Sequence, residues 1–336
     1  MLRSKILGTG MYVPKRLLKN DDLSSMMDTS DEWIRQRTGI EQRYWVDGST
    51  STSDLAFEAA QIALKNSGVD KSELDMIMLA TLSPDHEFPG TACFLQKKLN
   101  LPGIPALDVR QQCSGFIYSL SIADQYIRTG TYKKILIVGA EVHSRGLNKT
   151  PAGREIAVLF GDGAGAVVLG ATEVTRVDRD SYILSTQIHA DGNFAEELWI
   201  QYPGTAQAGD RFSSEVLESE GKWPKMNGKT VFMNAVKRMP ETLQEGLNQN
   251  NLKIGDIDLF IFHQANIRIN DMIAKQFGIP QEKVFNTIHK FANTTAATIP
   301  IGLDEAVRAG KLKKGMLVAS AAFGSGFTWG SAIYRW

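Results

Sequence analysis

Two cysteines occur in this chain, and one of them, Cys113, sits where a thiol can do chemistry. Its surroundings read Leu107-Asp108-Val109-Arg110-Gln111-Gln112-Cys113-Ser114-Gly115-Phe116. A short buried strand is expected to end near Val109, and an apolar-periodic helix runs from Phe116 through Leu120 and Ala123 to Ile127. The sulfur therefore falls at a strand-to-helix turn, beside a helix N-terminus. Unpaired N–H groups and the helix dipole there favour a thiolate over a thiol, and the same N–H groups can hold an oxyanion. The plain alternative is a small buried hydrophobe, which most free cysteines are. That is the reading for Cys93, in Thr91-Ala92-Cys93-Phe94-Leu95-Gln96, which lacks this setting.

His263 follows an apolar run ending at Phe262, in His263-Gln264-Ala265-Asn266. The C-terminal end of a central strand is where α/β proteins place ligand-handling groups. Asn293 lies in the small, polar stretch Phe291-Ala292-Asn293-Thr294-Thr295-Ala296-Ala297. Alone, the histidine reads as structural and the asparagine as a helix cap. A Cys, a His and an Asn all at sheet-edge turns make a catalytic trio the stronger reading. The remaining histidines (86, 143, 189 and 289) show no i,i+4 pairing and no neighbouring cysteine pair, so no metal site is indicated. Gly161-Asp162-Gly163-Ala164-Gly165-Ala166 precedes a strand instead of opening a helix, the wrong order for a dinucleotide loop. Gly8-Thr9-Gly10 has Val13 where a third glycine would be needed.

The elements that carry these residues alternate strand and helix. Asp54 to Asn66 reads as a helix with Leu55, Ala59, Ile62 and Ala63 along one side and Gly68 beyond its end. Glu241 to Leu247 and Asp304 to Arg308 read similarly. The chain also echoes itself. Asp75 and its following apolar run match Asp258 and its own at an offset of 183 (258 − 75). Arg128-Thr129-Gly130 before Ile135-Leu136-Ile137-Val138 matches Arg308-Ala309-Gly310 before Met316-Leu317-Val318 at an offset of 180 (308 − 128). Ordered matches at nearly equal offsets argue for a duplicated α/β unit, with helices on both faces of each sheet.

Composition narrows the rest. The 336 residues carry 37 basic and 37 acidic side chains, so there is no global pull on nucleic acid or anionic lipid. No apolar run approaches a membrane span, and Met1 to Gly8 has no signal-peptide pattern. With two cysteines a disulfide framework is not expected, and a cytoplasmic protein without nucleic-acid or membrane partners is.

Further motifs extend the trio: Thr29-Ser30-Asp31-Glu32-Trp33-Ile34, Arg37-Thr38-Gly39-Ile40, Phe160 to Ala166, His263 to Asn266, Asn293-Thr294, and Phe327-Thr328-Trp329-Gly330-Ser331-Ala332. In this order they resemble the 3-ketoacyl-acyl-carrier-protein synthase III family of the thiolase superfamily, over essentially the whole chain. The resemblance implies a duplicated five-layer αβαβα fold, its halves at 1–174 and 175–336, in a homodimer. It implies Cys113 as nucleophile with His263 and Asn293 as partners, and the backbone N–H groups of Cys113 and Ser325 as oxyanion hole. Trp33 and Arg154 resemble the pair that sandwiches the adenine of coenzyme A, a task suited to an aromatic face and a guanidinium plane. Arg37 and Asn266 resemble residues of the pantetheine channel. Phe88 resembles a residue that reaches across the dimer to the acyl pocket. Arg268 and Lys275 resemble a basic patch for acyl carrier protein.

Three features depart from the family pattern. Ser325 stands where glycine is usual, and Met233 where a lysine is often found in the carrier patch. The stretch from Asn193 to Lys225 is longer than usual and holds Trp199, Tyr202, Phe212 and Trp223, enough to reshape an acyl pocket. The implied chemistry is transfer of an acyl group from acyl-CoA to Cys113, then decarboxylative condensation with malonyl-acyl carrier protein to a 3-ketoacyl thioester. No metal or redox cofactor is implied. One rival keeps the acyl-cysteine and passes the acyl group to an alcohol, an amine or a second acyl chain. A rival of another class is a non-catalytic carrier-binding subunit.

Overall fold

Local signals set the elements. Ser51 accepts a hydrogen bond from Asp54 N while Asp54 returns one to Ser51 N at 2.8 Å, a capping box that opens a helix over Thr52–Ser67. Gly68, left-handed at φ 68°, closes it. The helix starts two residues before its expected position because the cap is Ser51. The computed structural model describes residues 1–336. Its first sheet holds β1 (Leu2–Tyr12), β2 (Met76–Ala80), β3 (Ala106–Val109), β4 (Lys134–Glu141) and β5 (Gly163–Glu173). The second holds β6 (Tyr182–Ala190), β7 (Leu259–Phe260), β8 (Leu317–Gly324) and β9 (Thr328–Arg335). The helices that matter for the site are α1 (Asp31–Thr38), α2 (Thr52–Ser67), α3 (Thr91–Leu99), α4 (Gly115–Arg128), α5 (Gly228–Gln249), α6 (Ile267–Phe277) and α7 (Thr298–Arg308).

The sheets share one topology. Their orders are β1-β5-β4-β2-β3 and β6-β9-β8-β7. In each, the first two pairings are antiparallel and the next is parallel. Met76 faces Ile135 in one and Leu259 faces Val318 in the other, each residue 183 later in the chain (259 − 76 and 318 − 135). The echoed aspartates set that register: Asp75 accepts from Lys134 N at 2.9 Å and Asp258 from Leu317 N at 2.8 Å. Arg128 and Arg308 close α4 and α7 and pair with the buried Asp124 and Asp304. A parallel bridge from Phe260 to Val284 stands where a fifth strand would complete the second sheet.

Helices α4 and α7 lie between the sheets. Phe116, Leu120 and Ile127 of α4 and Ile299, Leu303 and Ala306 of α7 join strand residues of both sheets in one core of 25 buried residues. Helices α2 and α3 cover the outer face of the first sheet, and α5 and α6 that of the second. The result is the five-layer αβαβα arrangement. Burying a large apolar side chain in such layers contributes roughly 1.5–3 kcal/mol. One strand differs from expectation: β3 is an edge strand with Leu107 exposed, not a buried one. No helix is long and apolar enough to cross a membrane.

Candidate active site

Cys113 lies in a single tight turn, Gln112–Ser114, between β3 and α4. Gln112 before it is left-handed at φ 43°, a strain of about 1–3 kcal/mol that a non-glycine residue bears where the chain must turn sharply. Ser114 Oγ donates to Thr328 O at 2.9 Å, tying the turn to β9 of the other half. Gly324, at the end of β8, faces the cysteine so closely that a Cβ there would stand 2.6 Å from Cys113 Cβ. A side chain at 324 would push Cys113 aside.

His263 continues β7, its N–H donating to Ala321 O at 2.9 Å. Its Nδ1 is 2.7 Å from Thr298 Oγ1, and its Nε2 is buried with no partner. Asn293 is strapped to the first half by Asn293 N to Leu159 O at 2.9 Å and Gly161 N to Asn293 O at 3.1 Å. Its Oδ1 accepts from Thr295 N at 2.8 Å, which leaves the amide N–H groups as the available face. The cap-like bond and the chemical role are therefore compatible in one side chain.

These three residues line one cavity of about 250 Å³. Trp33, Arg37 and Asn266 line the same cavity. Arg37 and Arg154 each lie on Trp33, at 4.5 and 4.6 Å from its ring centre. A base inserted between Trp33 and Arg154 must part them. Asn266 caps α6 through Arg268 N and donates to Arg37 O at 2.9 Å, so it couples α6 to α1 while facing the channel. A second cavity of about 420 Å³ meets the first at Cys113, Phe160 and Leu198. Ser325, His143 and Arg110 line it, with Trp199, Ile200 and Pro224 from the long 193–225 stretch. Of the four aromatics expected there, Trp199 alone reaches the cavity; Tyr202 packs on Gly221, and Phe212 is exposed.

Other expected residues stand apart. Phe88 is 84% exposed and lines neither cavity. Arg268 and Lys275 lie on α6, where Arg268 donates to Gln36 O; Met233 is exposed on α5. Cys93 is exposed on α3, not buried. No group of three or more His, Cys, Asp or Glu is placed to hold a metal ion. Phe160 and Thr295, which lie inside quoted motifs, and Thr298 and Leu198, which carry no sequence signal of their own, also belong to the site.

The electrostatics correct one expectation. Cys113 is not held as a thiolate: burial first, then the charge of the buried Glu141, pushes its thiol up to about 12, while its own backbone N–H opposes the rise. Burial likewise pushes His263 down to about 3. The helix N-terminus is outweighed by loss of water. The resting pair is a neutral thiol and a neutral imidazole.

Family models for 3-oxoacyl-[acyl-carrier-protein] synthase III match residues 107–192, and for its C-terminal region residues 247–336. Beta-ketoacyl-[acyl-carrier-protein] synthase III of Xanthomonas campestris pv. campestris is 45% identical over 333 residues, covering 99% of this chain and 98% of its own. That of Ehrlichia canis is 44% identical over 335 residues, covering 100% of each chain to the nearest per cent. The crystal structure of 3-oxoacyl-[acyl-carrier-protein] synthase III from Aquifex aeolicus superposes with a TM-score of 0.89 at 41% identity, covering 99% of this chain and 100% of the other. This chain belongs to the 3-oxoacyl-[acyl-carrier-protein] synthase III family.

Proposed function

We propose that this chain condenses an acyl-CoA with malonyl-acyl carrier protein, releasing carbon dioxide and leaving a 3-ketoacyl thioester. The observation that carries the reading is one cavity lined by Cys113, His263 and Asn293, with Nε2 and the Asn293 amide uncommitted. Cys113 Sγ attacks the acyl thioester as its proton passes to His263 Nε2, and coenzyme A leaves as thiolate. The channel past Trp33, Arg37 and Asn266, with Arg154 against the Trp33 ring, suits the coenzyme A arm, and the second cavity suits the acyl group. A malonyl thioester then enters the emptied channel. His263 Nε2–H and the Asn293 amide donate to its carbonyl and stabilise the enolate formed as carbon dioxide leaves. The enolate carbon attacks acyl-Cys113 while the N–H groups of Cys113 and Ser325 hold the oxyanion. The thiolate of Cys113 departs and takes its proton back from Nε2.

Two groups on one cavity that can donate to a thioester carbonyl, His263 Nε2–H and the Asn293 amide, favour an enolate over a hydroxyl or amine acceptor, which has no use for the second donor. Exposed Phe88 and the exposed Leu107 on edge strand β3 support a homodimer. Arg268 and Lys275 on α6 are proposed for the carrier protein. Two unpaired cysteines suit the cytoplasm. The halves are proposed to divide at 174/175, between β5 and β6. Incubation of the chain with acyl-CoA and carboxyl-labelled malonyl-acyl carrier protein tests the reaction. Label released as carbon dioxide in step with ketoacyl product supports it; acyl transfer without label release assigns a different acceptor.

A further inference from the structure

Ser325 brings a hydroxyl to the turn between β8 and β9, and that hydroxyl reaches across to the long 193–225 stretch. Its Oγ donates to Leu198 O. A carbonyl oxygen only accepts, so the direction of this bond is fixed. The same turn grips the chain just before Leu198 at two further points. Phe327 and Asp191 exchange backbone hydrogen bonds, both at 2.8 Å, and the Phe327 ring stacks on Phe194 with centres 5.1 Å apart. From Leu198 the chain enters a short antiparallel ribbon, in which Leu198 pairs with Met226 and Trp199 with Lys225. Leu198 lines both cavities, and Trp199, Ile200 and Pro224 line the second. The Ser325 side chain therefore bears on the position of a cavity wall.

That second cavity is suited to an alkyl chain. Its polar side chains are largely bound to protein: Ser83 Oγ bonds Glu141 and accepts from Val142 N at 2.9 Å, and His143 Nε2 meets Thr295 Oγ1 at 2.6 Å. Arg110, the charged residue of the lining, is exposed to solvent. What is left to face a guest is mainly apolar, from Leu82, Val142, Leu147, Phe160 and Trp199. A water-sized group fills about 30 Å³ in the liquid. The cavity, at about 420 Å³, far exceeds what an acetyl group would occupy.

We propose that Ser325, through the Leu198 carbonyl, is a positioning residue that sets the acyl-donor preference, holding Trp199 as a wall for a saturated chain longer than acetyl. The inference rests on the acyl-cysteine reading above. One residue then serves twice: its backbone N–H faces the oxyanion, and its side chain selects the donor. A glycine at 325 could do the first and not the second. One methylene in an apolar pocket is worth about tenfold or more in discrimination. A loosened wall costs a long chain most, because acetyl stops short of it.

The test measures kcat/KM of the full chain for saturated acyl-CoAs from acetyl to dodecanoyl, with malonyl-acyl carrier protein as partner. Wild type is compared with Ser325→Ala, Ser325→Thr and Trp199→Ala. Preference is read as the ratio of the best donor to acetyl-CoA, so a loss through the oxyanion hole that all donors share cancels. Wild type should favour a longer chain over acetyl by about tenfold or more. Ser325→Ala should cut that ratio about threefold to tenfold, the scale of one hydrogen bond, through KM for the long donor. Ser325→Thr keeps a hydroxyl and should retain more of the ratio than Ser325→Ala. Trp199→Ala should move the optimum to longer chains. A wild type acylated on Cys113 that prefers acetyl overturns the proposal and leaves the acyl-cysteine reading standing. A wild-type ratio in Ser325→Ala, or a wild-type optimum in Trp199→Ala, does the same. A Cys113 that no donor acylates overturns both.

Discussion

At the scale of single residues, the proposed chemistry turns on a thiol and an imidazole that burial keeps neutral. A thiol pushed up to about 12 has a thiolate fraction that rises with pH throughout the ordinary working range. With His263 taking the proton during the proposed attack, acylation should be nearly flat from pH 6 to 9, a range well above the histidine at about 3. In His263→Ala the thiolate must form alone, so acylation should rise about tenfold per pH unit over that range. Rapid-quench acylation at several pH values checks this; a flat profile in the variant contradicts it. Asn293→Asp keeps an oxygen for Thr295 N–H and loses the amide donors. Condensation should fall about a hundredfold to a thousandfold, as for loss of an oxyanion donor, while acylation persists. Separate assays of the two half-reactions check it, and equal losses in both would contradict it. Cys113, His263 and Asn293 were legible because unusual residue types stood at strand ends. Thr298 was not, since it joins the site only through a hydroxyl that meets a ring 35 residues away in the chain.

At the scale of elements, the duplication was legible and its physical basis was hidden. The echoed aspartates are register pins between parallel strands: Asp75 accepts from both Lys133 N and Lys134 N, and Asp258 from Leu317 N. Asp75→Ala should therefore destabilise more than Asp258→Ala, with a cost near 1–3 kcal/mol for stranding partly buried donors. Urea titration measures both, and the reverse order would contradict the pinning. Gly324→Ala places a methyl group 2.6 Å from Cys113 Cβ. It should cost about 1–3 kcal/mol by overpacking and slow the proposed acylation, because relief moves Cys113. Thermal melts and acylation rates read the two effects, and an unimpaired enzyme would contradict the fit. The helix after Cys113 was legible from its apolar period, whereas the exposure of β3 was not, because its sequence does not say which strand lies at the edge. The reach of Trp199 into the second cavity, and not of Tyr202 or Phe212, is set by loop turns with no periodic pattern.

At the scale of the whole molecule, two halves meet at the site, and neither is complete without the other: Cys113 comes from the first, His263, Asn293 and Gly324 from the second. Assembly also leaves pH-dependent stability. Burial holds both His143 and His263 at about 3, against an ordinary 6.5, so unfolding in acid lets them take up protons. Their contribution is complete above pH 6.5 and is lost as pH falls towards 3. Each depressed histidine should add about 1.4 kcal/mol per pH unit to the slope of unfolding free energy within that window. Glu141, raised by burial to about 7, acts in the opposite sense as pH rises through its own range, so the histidine share is read as a difference. His143→Gln should flatten the slope by that amount, measured by denaturant titration from pH 4 to 6. An unchanged slope would show that His143 takes up its proton in the folded chain. The claim on which all of this depends is that Cys113 carries the acyl group. Intact-protein mass spectrometry after incubation with acyl-CoAs from acetyl to long-chain tests it directly, with Cys113→Ala beside the native chain. One added acyl mass on the native chain, absent from the folded variant, is the expected result. The same adduct on Cys113→Ala, or none from any donor on the native chain, would contradict it.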